Sequence, residues 1–482
     1  MTTAILERPT TTPSLAGIVG EAGPTLAAHA AEHDREGTFV TESYAALKSA
    51  GFFAAAVPSE LGGLGAGLKE LAFAHHDLAA FCGSTSLASA MHTHTVATLA
   101  WRFRRGAPVE KTLRRVAEEG LVLISTGGSD HVRPSAVARR VDGGYSVSGR
   151  KIFASQSPVG SMLATSAVSE GDAREILALS IPMNAPGLQV LDTWDAHGMR
   201  GTGSHDIQLN DVFVGDAQVG AHRPYDRLDP LIRIALINGL TIITGVYLGL
   251  VRAALDAVTQ PPDLRARASD PVLQRLVGQV EYEYSAARMA FDGALARLGD
   301  DPESTFEHFL TVQHAKRAVA EHGARAIEAA MAARGGQSFS RSSPLDRIAR
   351  DFRGINYHPL TPEATLFYAG RVASAETPNR SDFPMLAPTR SPNHVGGRWC
   401  RNGPQSPEKC HADRPPTDPP GRNPGRLPLP QTHGPARTPA GAAGGGVCPH
   451  LPAARLGQGV GRAARPPARP ADWTRSRCRR SR

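Results

Sequence analysis

The pattern of apolar and polar positions changes character twice along the chain. Apolar residues recur at three- and four-residue spacing in residues 14–33, 42–50, 68–81 and 84–105, which predicts amphipathic helices. Between about residues 120 and 220 the apolar runs are short and rich in Val, Ile, Thr and Ser, which predicts strands. Helical patterns return after Pro230. The six predicted strands cover residues 121–125, 136–141, 145–147, 162–167, 176–181 and 205–214.

Capping residues place the ends of the C-terminal helices. Asp270 followed by Pro271 predicts a helix start, and Gly299 predicts its end. A second long helix is expected from Asp301 to Arg334, followed by two glycines, and a short last helix over residues 361–375. Helices of roughly 30 residues are about 45–50 Å long, which favours an antiparallel bundle.

These patterns predict an α+β multidomain architecture. Its four parts are an N-terminal helical domain (1–118), a central small β-barrel (119–222), a C-terminal antiparallel four-helix bundle (223–388) and an Arg/Pro/Gly-rich tail (389–482). The tail has no Ile, Phe, Tyr or Met after residue 390, so it cannot bury enough apolar surface to fold. We expect it to be disordered.

Net charge separates the tail from the rest of the chain. The whole chain carries +8, but from residue 391 onwards 16 basic residues face 4 acidic ones, which leaves the preceding part at −4. An arginine-rich tail could bind phosphates non-specifically. Its composition also resembles GC-rich DNA translated in a shifted frame, which we favour over a nucleic-acid-binding arm. We therefore expect no nucleic-acid partner.

Cysteine usage and hydropathy indicate a cytoplasmic protein. Before the tail the chain holds one cysteine, Cys82, which fits a reducing compartment. The N-terminus shows no secretory signal pattern. The apolar stretch 231–250 contains Arg233 and Asn238, so a buried bundle helix is favoured over a membrane span. Cysteines and histidines do not cluster at metal-ligand spacing, and no metal is predicted.

Five glycine-rich motifs follow the predicted domain order. Together they resemble motifs of the acyl-CoA dehydrogenase family of flavoproteins, and the resemblance covers roughly residues 14–380. Each motif is weak alone, but their order and separations are similar to the family's. They are PSELGGLG at 58–65, GSD at 128–130, DGGYSVSGRKIFAS at 142–155, GMRGTGS with NDVFV at 198–214, and GGQSF with PLDRIARD at 335–351.

The resemblance implies an FAD site on the β-domain. A flavin ring needs a flat slot and hydrogen-bond donors at its edge. Small hydroxyl residues at strand ends suit the donors, and Phe153 would lie against the ring. Gln274 matches a family residue near the adenosine, and the loop of Gly336 approaches a neighbouring subunit's FAD in the family. The expected cofactor-binding residues are Ser125, Gly128, Ser129, Phe153, Ser155, Gln274 and Gly336.

The chain departs from the family at the catalytic base. Most members use the Glu of a Tyr-Glu-Gly motif about nine residues beyond an Arg-Asp pair to remove a proton α to the thioester. The same count from the first residue of the Arg350-Asp351 pair reaches Pro359, or His358 with a one-residue shift. The alternative acid position falls near Ile232, which is also apolar. His358 is the candidate catalytic residue, because imidazole titrates near neutral pH.

Three functions remain open. The first is α,β-desaturation of an acyl-CoA or acyl-carrier-protein thioester, with an electron-accepting flavoprotein as partner. The second is a two-component flavin-dependent monooxygenase of the same fold, in which FMN is possible and a flavin reductase is the partner. His358, Ser155 and one of His92 and His94 would then surround the flavin, since the two neighbouring histidines point about 200° apart on a helix. The third is a non-catalytic flavoprotein. The resemblance implies a homotetramer in each case.

Overall fold

The computed structural model describes residues 14–171 and 174–374. The predicted tail lies outside these residues, so its predicted disorder is not tested. The helices are α1 Leu15–Glu36, α2 Thr41–Ser49, α3 Leu68–Phe81, α4 Gly83–Phe103, α5 Glu110–Glu119, α6 Pro230–Thr259, α7 Pro262–Arg265, α8 Pro271–Leu298, α9 Phe306–Arg334, α10 Pro344–Phe352 and α11 Pro362–Ser374. The strands are β1 Leu123–Ser125, β2 Val137–Val141, β3 Gly144–Ala154, β4 Met162–Ser169, β5 Glu175–Pro182, β6 Leu188–Val190, β7 His205–Gly215 and β8 Val219–Pro224.

The central domain is one eight-stranded sheet with its own apolar core. Its order is β6-β7-β3-β2-β4-β5-β8, and β1 pairs in parallel with the start of β4. The six strands predicted from the sequence are confirmed, whereas β6 and β8 were not predicted. β3 is longer than predicted, because residues 148–154 continue the strand against β7 through two irregularities in register. This extension carries Phe153 to the edge of the domain, one residue before the strand ends.

Helix α6 lies at the centre of the helical regions. It packs against α3 and α4 on one side and against α8 and α9 on the other. Two glycines permit the close crossing with α3: a Cβ on Gly245 would lie 2.4 Å from the carbonyl oxygen of Ala72, and one on Gly249 would lie 2.0 Å from that of His76. By length and hydropathy α6 could cross a membrane, but 94% of its most apolar window is buried inside the protein. The predicted bundle helix is thus confirmed.

The predicted caps of α8 are confirmed, and the predicted start of α9 is wrong. The Asp270 side chain accepts from the amides of Val272 and Leu273, and Gly299 ends α8 with a φ of 64°. α9 begins at Phe306 and is capped by Thr305, not by Asp301. The Asp301 carboxylate is instead bound by two arginines at the end of α4, Arg104 and Arg105.

Two of the glycine-rich motifs pack directly on each other. A Cβ on Gly198 would lie 2.3 Å from the carbonyl oxygen of Arg350. The backbone amide of Met199 donates to Asp351 at 2.5 Å, and Arg350 forms a nearly buried ion pair with Asp34 of α1 at 2.6 Å. These contacts join the β-domain loop, α10 and α1, so the two motifs have a structural role here.

A buried ion pair holds the flank of the β-domain together. Lys151, which is fully buried, donates to Asp130 at 2.7 Å and to the carbonyl oxygen of Ser166 at 2.5 Å. Asp130 also accepts from Thr126 at 3.0 Å and from the amide of Ser135 at 2.9 Å. Burial raises the pKa of Asp130, but the nearby Lys151 ammonium and these donors outweigh it and hold the pKa below its usual value. The pair fixes the turn between β1 and β2 against β3 and β4.

Removing one partner of this pair should destabilise the protein strongly. We expect Lys151→Met to lower the free energy of unfolding by about 3–5 kcal/mol, because Asp130 is left buried without its cation. As a control, Arg139→Gln breaks an exposed pair with Glu170 and should cost less than about 1 kcal/mol. Urea unfolding followed by circular dichroism measures both. Equal losses in the two variants would contradict the structural role of Lys151.

Candidate functional site

Four parts of the chain meet at the turn that follows β1. Ser125 ends β1 and is buried, and Gly128 opens the short helical turn after it. A Cβ on Gly128 would lie 2.8 Å from Cγ of Pro359 and 3.5 Å from a methyl of Leu236 on α6. His94 of α4 reaches the same place through Ser125, with 3.3 Å between Nε2 and Oγ. The structure therefore brings together Ser125, Gly128 and the segment that carries His358.

A chain of buried hydroxyl groups begins at Ser155. Its Oγ lies 2.7 Å from that of Ser204, which lies 2.7 Å from Oγ1 of Thr202, and Thr202 donates to the carbonyl oxygen of Met199. Each hydroxyl has one proton, and the last is committed to a carbonyl. The simplest arrangement therefore has Ser155 donating to Ser204, which leaves its lone pairs for a ligand. For Ser155 to donate to a ligand, as the sequence predicts, the hydroxyl protons of Ser155, Ser204 and Thr202 would have to reorient.

Phe153 presents an aromatic face beside this chain. It adopts a left-handed conformation with a φ of 58°, and its side chain is 56% exposed. Trp194 meets it edge to face, with ring centroids 6.4 Å apart. A Cβ on Gly127 would lie 3.4 Å from the Phe153 ring, so the turn after β1 runs close beside this ring. Ser129, on the same turn as Gly127, is also exposed.

These residues fit a planar, hydrogen-bonding cofactor. An exposed aromatic ring held in a strained backbone conformation offers a stacking face, and neighbouring backbone and hydroxyl groups offer polar partners. Ser125, Ser129, Phe153 and Ser155 would hold the flavin ring that the sequence resemblance implies. No group of three or more His, Cys, Asp or Glu in residues 14–171 and 174–374 is placed to bind a metal ion.

The neighbouring histidines of α4 have different roles. His92 is fully buried; its Nε2 donates to the carbonyl oxygen of Phe53 at 2.8 Å, and its Nδ1 accepts from the amide of Leu123 at 3.0 Å. His94 has only the Ser125 contact, and its buried Nδ1 has no partner among the described residues. Burial lowers the pKa of His92 to about 4 and that of His94 to about 3. His92 thus fixes β1 to the helical domain, while His94 keeps one nitrogen free.

His358 lies between α6 and α9. Its Nε2 is 2.9 Å from the hydroxyl of Tyr247, which is fully buried. Its carbonyl oxygen accepts from Lys316 at 2.6 Å, and Lys316 also donates to the carbonyl oxygen of Leu360 at 2.5 Å. Burial, with a smaller contribution from Lys316, lowers the pKa of His358 to about 3. This lowered pKa makes His358 a weaker base than the sequence pattern predicts, because burial penalises the imidazolium, and its catalytic role stays a prediction.

Gln274 and Gly336 lie away from these residues within the chain. Gln274 is in the first turn of α8 and donates to the carbonyl oxygen of Ala268. Gly336 is exposed just after α9. Both are near the C-terminal end of α6, whereas Leu236 is near its start, and the 23 residues from Leu236 to Thr259 span about 35 Å of helix. Their roles toward a cofactor, including one in a second subunit, stay predictions.

Several of the buried polar residues were not predicted. They are Tyr247, Lys316 and Gln313 at the His358 segment, and Asp130 with Lys151 in the β-domain. The one available signal was that Asp130 and Lys151 each fall inside one of the glycine-rich motifs. Tyr247 and Lys316 sit inside helical patterns, where nothing in the sequence distinguishes them from ordinary core positions.

Sequence profiles of three domains match the chain in order. They are the N-terminal domain of acyl-CoA dehydrogenases over residues 22–120, the middle domain over 125–212 and the C-terminal domain over 241–362. The chain belongs to the acyl-CoA dehydrogenase family. Its fold is that of the acyl-CoA dehydrogenases, and the protein is a flavin-dependent oxidoreductase of this fold.

Relatives within the acyl-CoA dehydrogenase family differ in reaction. L-evernosamine nitrososynthase of a Micromonospora species is 30% identical over 365 residues, which cover 70% of this chain and 83% of the relative. A Bacillus subtilis protein named provisionally as an acyl-CoA dehydrogenase is 30% identical over 358 residues, 70% of this chain and 90% of the relative. The X-ray structure of KijD3 with FMN and a dTDP-linked 3-amino-4-keto sugar superposes with a TM-score of 0.68 at 28% identity, covering 76% of this chain and 95% of that one.

Substitutions of the two α4 histidines should differ in their effect on the free energy of unfolding. We expect His92→Ala to destabilise the protein by roughly 2–5 kcal/mol, because it leaves the Phe53 carbonyl and the Leu123 amide buried and unpaired. His94→Ala removes a single long contact and should cost no more than about 2 kcal/mol. Thermal and urea unfolding measure the difference. A larger loss for His94→Ala than for His92→Ala would contradict these assignments.

Lys316 should give the protein an unusual dependence of stability on pH. Burial lowers its pKa to about 7, whereas a lysine in the unfolded state has a pKa of about 10.4. Between these values the unfolded state binds one proton more than the folded state, so this lysine makes stability rise as pH increases from about 7 to about 10. We expect the difference in unfolding free energy between wild type and Lys316→Met to shift in favour of wild type over that range. A constant difference would show that Lys316 keeps an ordinary pKa.

Proposed function

We propose that this protein is a flavin-dependent monooxygenase that inserts one oxygen atom at the nitrogen of a primary amine. The single observation that carries the proposal is the chemistry of the groups at the turn after β1. Pro359 and Leu236 contact Gly128, while His94 and Ser125 are the polar groups beside them. None of these residues is a carboxylate, and the motif count puts Pro359, or His358 with a one-residue shift, at the position of the family's catalytic Glu.

Desaturation of a thioester does not suit these groups. Removing a proton α to a carbonyl needs a base within hydrogen-bond reach, and its pKa should lie near the working pH. The pKa of His358 is lowered to about 3, and its Nε2 is engaged with Tyr247. The nearby carboxylates Asp130 and Asp351 are each committed to partners inside the fold. A strong base is therefore lacking among the residues that meet Gly128.

Oxygenation of an amine is favoured by the same features. The nitrogen lone pair is the nucleophile, so no C–H bond has to be broken. In water an alkylammonium has a pKa of about 10.4, and burial without a counter-ion lowers that value. A site with neutral imidazoles and no carboxylate therefore favours the uncharged, nucleophilic amine. His94, held at Ser125 through its Nε2, contributes such a neutral imidazole.

The reaction balances with a separate source of electrons. A primary amine and O₂ give a hydroxylamine and water when two electrons and two protons are supplied, and reduced flavin bound at the site provides the electrons. We infer a flavin reductase as the partner and the reducing cytoplasm as the location. Relatives with nitrososynthase activity, and the relative that binds FMN with an amino sugar, support an amine substrate and leave FMN as well as FAD open. A homo-oligomer remains part of the proposal through the family.

Product analysis tests this function. The flavin-loaded protein, a flavin reductase and NADH are mixed with ¹⁸O₂ and either benzylamine or glucosamine, and the product is analysed by mass spectrometry. We expect one ¹⁸O atom on nitrogen. His94→Gln, which removes the imidazole beside Ser125, should lower kcat/KM for this reaction at least about tenfold, since small displacements in an active site have large effects. His314→Gln, which alters an exposed histidine of α9, is the matched control and should leave the rate unchanged.

The competing function has its own signature. Under anaerobic conditions an acyl-CoA would bleach the visible absorbance of the bound flavin if the protein desaturates thioesters. We expect no bleaching with butyryl-CoA or octanoyl-CoA. Bleaching together with an absence of labelled amine product would replace the monooxygenase proposal by a dehydrogenase with a relocated base.

A further inference from the structure

Lys316 is a buried amine that forms no ion pair with a carboxylate in residues 14–171 and 174–374. It lies on α9 with 4% of its surface exposed, and its contacts are the carbonyl oxygens of His358 and Leu360. One turn earlier, the fully buried Gln313 accepts from the amide of Leu360 at 3.2 Å. Side chains of α9 thus form hydrogen bonds with both carbonyl and amide groups of this short backbone segment. Burying an amine in this way is costly, so the carbonyl contacts must offset the loss of water.

The segment held by Lys316 presents one side chain to α6 and one to the site. His358 meets Tyr247 of α6, and Pro359 covers Gly128 of the β-domain turn. Residues 358–360 are therefore fixed from one side through their backbone, and Pro359 closes the site at Gly128. We propose that Lys316 is a positioning residue that holds residues 358–360 in place as the wall of the flavin site. The inference rests on the monooxygenase function proposed above.

The chemistry of an amine suits this task. A neutral amine has two N–H groups, and two carbonyl oxygens accept from Nζ. The hydrogen bonds are therefore complete without a third partner and without a charge. Methionine has a side chain of similar length and flexibility but no donor. Lys316→Met removes both hydrogen bonds while roughly preserving volume, and Lys316→Gln keeps an N–H₂ group on a shorter side chain.

Displacement of residues 358–360 should be detected as uncoupling of O₂ reduction from amine oxidation. If residues 358–360 move, water reaches the flavin, and O₂ is reduced to hydrogen peroxide without oxidising the amine. The ratio of hydrogen peroxide to amine product reports this loss for each folded, flavin-loaded molecule. A purely structural role would lower the amount of folded protein and leave the ratio unchanged. The ratio therefore distinguishes positioning from stability.

A double-mutant cycle tests whether Lys316 acts through His358. We expect Lys316→Met to raise the peroxide-to-product ratio at least about tenfold, since small displacements in an active site have large effects. His358→Ala should raise it similarly, and the double variant should be no worse than His358→Ala alone. Lys111→Met, at an exposed position of α5, is the control. An unchanged ratio in Lys316→Met, or independent effects that multiply in the double variant, would overturn the proposal.

A second measurement does not depend on turnover. Iodide quenching of flavin fluorescence reports how far the bound flavin is open to solvent. We expect a larger quenching constant for Lys316→Met than for wild type, and an intermediate one for Lys316→Gln, which also serves if the methionine variant does not fold. This readout stays valid if wild type oxidises no amine, so failure of the proposed function is distinguishable. Equal quenching in all variants would overturn the positioning role.

Discussion

A helix that is apolar on every side must be covered on every side, and α6 imposes this constraint on the whole protein. Twenty-two of its thirty residues are buried. The helices before and after the β-domain have to pack around it, and glycines at 245 and 249 let α3 approach to backbone contact. This packing also positions the residues of the candidate site. Leu236, Gly239 and Tyr247 lie along α6, and they meet Gly128, His94 and His358 from three other parts of the chain.

Local chemistry made much of the fold predictable. Asp270 caps α8 and Gly299 ends it because these residues satisfy backbone groups within a few positions of themselves. The angle between His92 and His94 also followed from helix geometry, and the two residues do face different partners. The start of α9 was predicted wrongly because Asp301 is a good cap in isolation. Its carboxylate binds arginines almost 200 residues away, which no local pattern reveals.

The candidate site was harder to predict for the same reason. Ser125, Gly128 and the His358 segment were recognised through motifs, but their mutual contacts depend on how distant elements pack. Tyr247 and His358 are 111 residues apart, and Lys316 is 42 residues from His358. Burial then changes the chemistry of each group. An imidazole that titrates near pH 6.5 in water has a pKa of about 3 at positions 94 and 358, so residue type alone overestimated how readily these side chains take up a proton.

If Pro359 takes the place of the family's Glu, the exchange of a carboxylate for an apolar wall alters more than one position. Pro359 approaches Gly128 so closely that any Cβ there would collide with the proline ring, and Leu236 closes the other side. A glutamate restored at 359 would be desolvated in this setting without a cation to balance it, so its pKa would rise and it would be protonated when a base is needed. An opposing charge would therefore be needed as well. The same desolvation that disables a carboxylate keeps an amine uncharged, which links the loss of the family's base to the chemistry proposed in its place.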